Sequence, residues 1–190
     1  TNWGMRGWWL ATGGIEWAFP EEEHGLNEYR PWQYELLWNG VRVWDTEERT
    51  GMTIEVTIQL PAGHSDFQVT PHITNDTAEP HAYQFWANAM LTLADGNAPA
   101  ADMQFVLPDD TVTVHSTGDG SLPGPHGQMS WPVHNGRDFS QFSTWQHYLG
   151  VFADPAQAGF VGAYTPSAGQ GLVRVFPHTL ATGVKILCMG

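Results

Sequence analysis

Met52-Thr53-Ile54-Glu55-Val56-Thr57-Ile58-Gln59-Leu60 alternates without an error, with five apolar side chains on one face and four polar ones on the other. A period of two marks a half-buried strand, and the turn formers Pro61-Ala62-Gly63-His64-Ser65-Asp66 close it. Residues 67–74 alternate again, with Phe67, Val69 and Ile73 on the dry side and Gln68, Thr70, His72 and Thr74 on the other. Pro71 falls on the dry side and brings no ladder donor, which predicts a bulge or a sheet edge. After a turn over residues 75–80, residues 83–93 place Tyr83, Phe85, Ala87, Ala89, Leu91 and Leu93 on one face and Gln84, Trp86 and Asn88 on the other. Short connections favour antiparallel neighbours. Three consecutive strands are therefore expected to share one polar face carrying Glu55, His72, Trp86 and Asn88.

The same period extends outward in both directions. Upstream, residues 34–38 and 41–44 flank Asn39-Gly40, the strongest hairpin signal in the chain and a fit to a type I′ turn. Downstream, residues 102–107, 111–115, 145–153, 159–164, 171–176 and 184–189 read as short strands between turns rich in Pro, Gly and Asp. Residues 116–142 read as one long loop, and loops of that length in compact domains are usually functional. Helix signals are weak and no repeat recurs. The expected fold is all-β, an antiparallel sandwich of two packed sheets. A chain of 190 residues is long enough for a single domain over 1–190 with a real core.

Charge and composition exclude several partners. Twenty acidic against seven basic residues give a net charge of −13 at pH 7, a field that repels nucleic acid and anionic membrane surfaces. No apolar run approaches the ~20 residues that span a bilayer. The lone Cys188 permits neither an internal disulfide nor a cysteine-based zinc site, and within its apolar strand it reads as core. The chain starts at Thr1 without a signal peptide, so it reads as processed, trimmed or a fragment. Asn75-Asp76-Thr77 matches a glycosylation sequon. The compartment stays open, with an extracellular or periplasmic location favoured.

The aromatic content points to a ligand class. Ten tryptophans accompany one lysine, and seven of them fall in the first fifty positions. An indole offers a flat apolar plate with one N–H donor, suited to lying on the C–H face of a sugar while carboxylates and amides take the hydroxyls. Ligand sites of this kind need aromatic walls and a few placed polar groups. Core packing is the plainer use of any one indole, but ten exceed that need. Trp17, Trp86 and Trp131 are the candidate plates, and Asn88 and Arg137 the candidate polar contacts; Arg137 has a local pair with Asp138 as its simpler account.

Residues 13–25 crowd Glu16, Glu21, Glu22 and Glu23 with His24 among aromatics. Like charges raise one another's pKa, so Glu22 beside His24 is a candidate for acid–base work near neutrality. The competing reading is a solvated charge run. His72 is the second catalytic candidate, placed by alternation beside Trp86 and Asn88. Nine histidines invite a metal, yet no HxH, HxxxH or HExxH spacing occurs, and no metal or cofactor is expected. No GxSxG elbow, P-loop or dinucleotide fingerprint is present.

Four segments resemble a bacterial family of galactose-mutarotase-like domains, sometimes joined to tetratricopeptide repeats. They are Gly13-Gly14-Ile15-Glu16-Trp17-Ala18-Phe19-Pro20, Thr74-Asn75-Asp76-Thr77, Phe85-Trp86-Ala87-Asn88 and Met129-Ser130-Trp131-Pro132. The resemblance implies an antiparallel β-supersandwich, pared down at this length, whose relatives bind carbohydrate on a concave face. It also implies acid–base chemistry of the aldose-epimerase kind, in which a histidine is the acid and a glutamate the base. His72-Ile73-Thr74-Asn75 is similar to the histidine element of those enzymes, and no glutamate matches their base. Three functions follow as expectations. The first is a protein that binds mono- or oligosaccharides or acts on them by epimerisation or β-elimination. The others are a non-catalytic sugar-binding or interaction module, and a small metal-dependent enzyme using the surplus histidines.

Overall fold

A computed structural model describes residues 14–20, 30–96 and 98–188. The chain divides into two compact units, Thr1–Met90 and Leu91–Gly190. Among the described residues the strand pairs of both are antiparallel throughout, as the alternation predicts. The helical elements among the described residues are single 3-10 turns at Phe142–Thr144 and Pro166–Ala168.

In the first unit, β1 (Gly14–Ala18), β2 (Gln33–Leu37), β3 (Gly40–Thr46), β4 (Thr53–Gln59), β5 (Gln68–Thr74) and β6 (Trp86–Met90) form two sheets. One is ordered β2-β3-β4-β5 and the other pairs β1 with β6. The perfect alternation of β4 becomes its burial: Met52, Ile54 and Val56 are sealed from solvent. Phe19 completes that core, with Trp17, Trp32, Val43, Val69, Ile73 and Phe85 packed against it. Fully burying each such aliphatic side chain is worth about 1.5–3 kcal/mol. The core thus lies between the inner face of the four-stranded sheet and the Trp17 face of the β1–β6 ribbon.

Two sequence expectations are corrected here. The strand of residues 83–93 is shorter, and β6 pairs with β1 through Glu16↔Asn88 and Ala18↔Trp86 rather than with β5. The β2–β3 turn falls one residue early, because Leu37 pairs with Gly40 and leaves Trp38-Asn39 as the loop. Neither loop residue has a positive φ, so the turn is not of type I′. Gly40 serves the sheet instead. A Cβ there would sit 2.1 Å from the Ile58 carbonyl oxygen. Pro71 meets its expectation: β5 is an edge strand, and its pairing with β4 runs without a bulge.

The second unit contains β7 (Gln104–Val106), β8 (Thr111–Thr117), β9 (Gln128–Ser130), β10 (Val133–His134), β11 (Arg137–Asp138), β12 (Leu149–Ala153), β13 (Phe160–Thr165), β14 (Gln170–Val175) and β15 (Val184–Cys188). A sheet ordered β15-β12-β8-β9 and another ordered β14-β13-β7 enclose a core of Val112, Val114, Leu149, Val151, Phe105 and Trp145. The Trp145 indole also donates to the Phe139 carbonyl at 2.9 Å. Residues 116–142, expected as one long loop, carry β9 and the β10–β11 hairpin. Asn135 and Gly136 join that hairpin with φ of 50° and 77°, the left-handed pair that a type I′ turn demands.

Candidate functional site

Directly paired residues of antiparallel strands project to the same side, so the register of β2–β5 fixes what its outer face displays. One row crosses all four strands as Gln33, Trp44, Glu55 and His72; the next reads Glu35, Arg42, Thr57 and Thr70. The local sequence dictates this. In Val41-Arg42-Val43-Trp44 the valines turn inward, and Val43 packs on the core, leaving guanidinium and indole outside. Arg42 Nη2 donates to Glu35 Oε2 at 2.5 Å, its Nη1 lies 3.8 Å from Glu55 Oε2, and Cζ sits 5.4 Å from the Trp44 ring centroid. His72 is exposed on the edge strand, directly opposite Glu55. A plate, a guanidinium, two carboxylates, an imidazole and several amides and hydroxyls thus share one half-exposed surface.

This differs from the shared hollow expected between His72, Trp86 and Asn88. Trp86 and Asn88 occupy the face of the β1–β6 ribbon opposite Trp17, and Trp17 packs on the core. His72 projects from the far side of the other sheet, so the core separates the two groups. The reason is the strand partner: β6 joined β1, and β3 took the place beside β4. Asn88 Nδ2 donates to Glu16 Oε1 at 2.9 Å. Trp17 is half-buried and meets Trp32 edge-on at 5.5 Å between centroids, a packing role rather than an open plate. His24 and Glu22, with Glu21 and Glu23, lie outside the described residues. Sequence reasoning missed Trp44, Arg42 and Glu35, although the alternation of residues 41–44 carried the signal.

The remaining candidates belong to the second unit. Trp131 is only 4% exposed and sits inside its core, so it offers no plate to a solute. Arg137 pairs with Asp119 rather than Asp138, and its Cζ lies 4.3 Å from the Phe139 ring centroid. Hydrogen bonds from the Ser121 hydroxyl, then from Arg137, hold the Asp119 carboxyl down at about 2. On the β15-β12-β8 sheet, a register shift at Gly150/Val151 leaves His115 as the extra residue of β8. Its ring meets Phe152 edge-on at 5.2 Å, and Lys185 Nζ lies 5.5 Å from the same Phe152 ring. Burial pushes the His115 imidazole below its ordinary value, helped by His126, and pushes Lys185 down to about 8.

Two polar side chains, one of them the sequon asparagine, shape backbone. Asn75 accepts from the Thr77 N–H and hydroxyl at 3.1 and 2.6 Å and donates to the Glu79 carbonyl, closing the loop after β5. Glu47 is buried in the β3–β4 connection. Burial alone would raise its carboxyl, but bonds from Arg49 and Thr50 outweigh that and hold it below its usual range. Among the described residues no group of three or more His, Cys, Asp or Glu is placed to hold a metal ion. None of their helices is long and apolar enough to cross a membrane.

These features define an all-β, antiparallel sandwich-type protein with a mixed aromatic and charged sheet face. The chain belongs to the family described as Domain of unknown function (DUF5107), whose model matches residues 1–190. A solved structure of a TPR-domain containing protein from Parabacteroides distasonis is similar over 97% of this chain, at 22% identity and a TM-score of 0.75. The likeness is one of fold. The chain spans 30% of the length of that protein.

Proposed function

We propose that this chain is a carbohydrate-binding domain, with the outer face of β2–β5 as its saccharide platform and Trp44 as the stacking plate. The observation that carries the reading is the row Gln33, Trp44, Glu55 and His72, an indole bordered by groups that donate and accept hydrogen bonds at hydroxyl height. Sites that orient polar, ring-shaped ligands combine these elements. Membership of the galactose-mutarotase-like supersandwiches is part of the same proposal, supported by the segments that resemble those domains and by the antiparallel sheets. Intrinsic fluorescence titrated with a panel of oligosaccharides tests it. At least one sugar should shift the emission, and Trp44→Ala should weaken that response about tenfold or more, in line with the ~1.4 kcal/mol or greater contribution of a stacking anchor. No response to any sugar would remove the proposal.

A specific observation favours a catalytic variant of this reading. Glu55 and His72 are direct cross-strand partners beside the plate, within the separation at which an acid and a base act on one ligand. Polarimetry on anomerically pure aldoses checks it. Accelerated mutarotation that both Glu55→Gln and His72→Ala abolish supports epimerase-like chemistry, and an unchanged rate leaves a binding module.

A further inference from the structure

We infer that the outer face of β2–β5 selects a neutral oligosaccharide and refuses uronates. This rests on the carbohydrate-binding reading and sharpens it to a substrate class.

The state of Arg42 carries the argument. It is the permanent cation of this face among the described residues of the four strands. Recognition of a sugar carboxylate needs a guanidinium edge turned to the ligand. Here Nη2 is committed to Glu35 and Nη1 faces Glu55, while Nε is shut off from solvent. A uronate that takes the guanidinium from one of these carboxylates leaves it unpaired, and one that shares the guanidinium brings a third negative charge beside Glu35 and Glu55. The face holds two carboxylates against one guanidinium, within a chain of net charge −13, so every approach of an anionic sugar is opposed. Like charges brought into contact repel even in bulk water.

A neutral sugar meets none of these penalties. Each hydroxyl donates and accepts, so it can donate to Glu35 or Glu55 and accept from Gln33 or the guanidinium without breaking the existing pairs. Size points the same way. Three inter-strand steps of ~4.8 Å separate the two ends of the row, a span of about 14 Å that exceeds one pyranose ring and suits several linked units. The consequence reaches the chemistry. β-Elimination draws its acidity from the carboxylate of a uronate, and this face does not admit one.

The test is calorimetric titration of the chain with neutral gluco-, manno-, galacto- and xylo-oligosaccharides and with oligogalacturonate, oligomannuronate and oligoglucuronate, at low and at physiological salt. The expected result is binding of at least one neutral oligosaccharide, weakened about tenfold or more by Trp44→Ala, with every uronate weaker by about tenfold or more. A uronate that binds more tightly than every neutral sugar, yet still depends on Trp44, overturns the inference and leaves the carbohydrate reading standing. No binding of any saccharide overturns both. Paired Glu35→Gln and Glu55→Gln substitutions supply the second arm. They free Arg42 and should raise uronate affinity about fivefold at low salt; unchanged uronate affinity in that variant overturns the charge argument.

Discussion

The two units each contain a hairpin with Asn-Gly near its tip, one arginine, an aromatic ring beside that arginine and an acidic partner. In the β2–β3 hairpin, Arg42 is 40% exposed and Glu35 50% exposed, and the assembly lies open on a sheet face. In the β10–β11 hairpin, Arg137 is 21% exposed and Asp119 only 5%, with Phe139 fully buried beneath the guanidinium. Comparable residues thus lie open on a sheet face in one place and form a buried structural latch in the other. Burial decides which. An exposed ion pair is screened and contributes about 0–1 kcal/mol, whereas removing one partner of a buried, hydrogen-bonded pair leaves the other charge uncompensated.

The contrast can be broken most directly at Asp119. Asp119→Ala removes the acceptor of Ser121 and Arg137 and should lower unfolding free energy by about 2–3 kcal/mol. Urea denaturation reads this, and a loss below about 1 kcal/mol would erase the distinction between the hairpins.

Acid supplies the next largest effect. The Asp119 carboxyl falls from the usual 3.8 to about 2 in the folded chain, so its contribution is complete above pH ~4 and is lost as pH falls through 2. That amounts to about 2 kcal/mol. Asp119→Asn should lack this part of the acid slope, and an unchanged slope between pH 4 and 2 would contradict the assignment.

The turns give a smaller, sharper test. Asn135→Ala forces alanine into the left-handed region and should cost about 1 kcal/mol. Asn39→Ala involves no such strain and loses one 3.3 Å side-chain bond from Gln59, an effect of about 0.5 kcal/mol. Equal losses in thermal or chemical melts would mean that the two Asn-Gly pairs do the same work. The smallest effect belongs to Arg42→Ala, with stability changed by less than about 1 kcal/mol while oligosaccharide binding weakens. A large stability loss without any change in binding would make Arg42 a second latch.

Much of the fold was legible because alternation is a local property. β4 was readable residue by residue, and the six strands expected after residue 101 all form, within a few residues at their ends. Pairing is not local. Nothing in residues 83–93 announces that they choose β1 over β5, since either neighbour would bury Phe85. That choice moved Trp86 and Asn88 away from His72. The turn at Trp38-Asn39 was hidden for another reason. The glycine of Asn39-Gly40 answers to the Ile58 carbonyl of β4, a contact eighteen residues away in the chain. For the site, His72 and its polar neighbours on β4 and β5 were legible from parity. Trp17 and Trp131 were misjudged because a count of indoles does not say which face each one takes, and their burial depends on the packed partner layer. Trp44 carried the right parity but was read only as part of a hairpin.

Pro71 gives the sheet a full stop. A ring nitrogen has no hydrogen to lend to a newcomer, so another polypeptide zipping alongside β5 meets a missing rung next door to His72. That margin is a poorer template for strand addition than an unbroken edge, and the His72 side chain beside it is exposed.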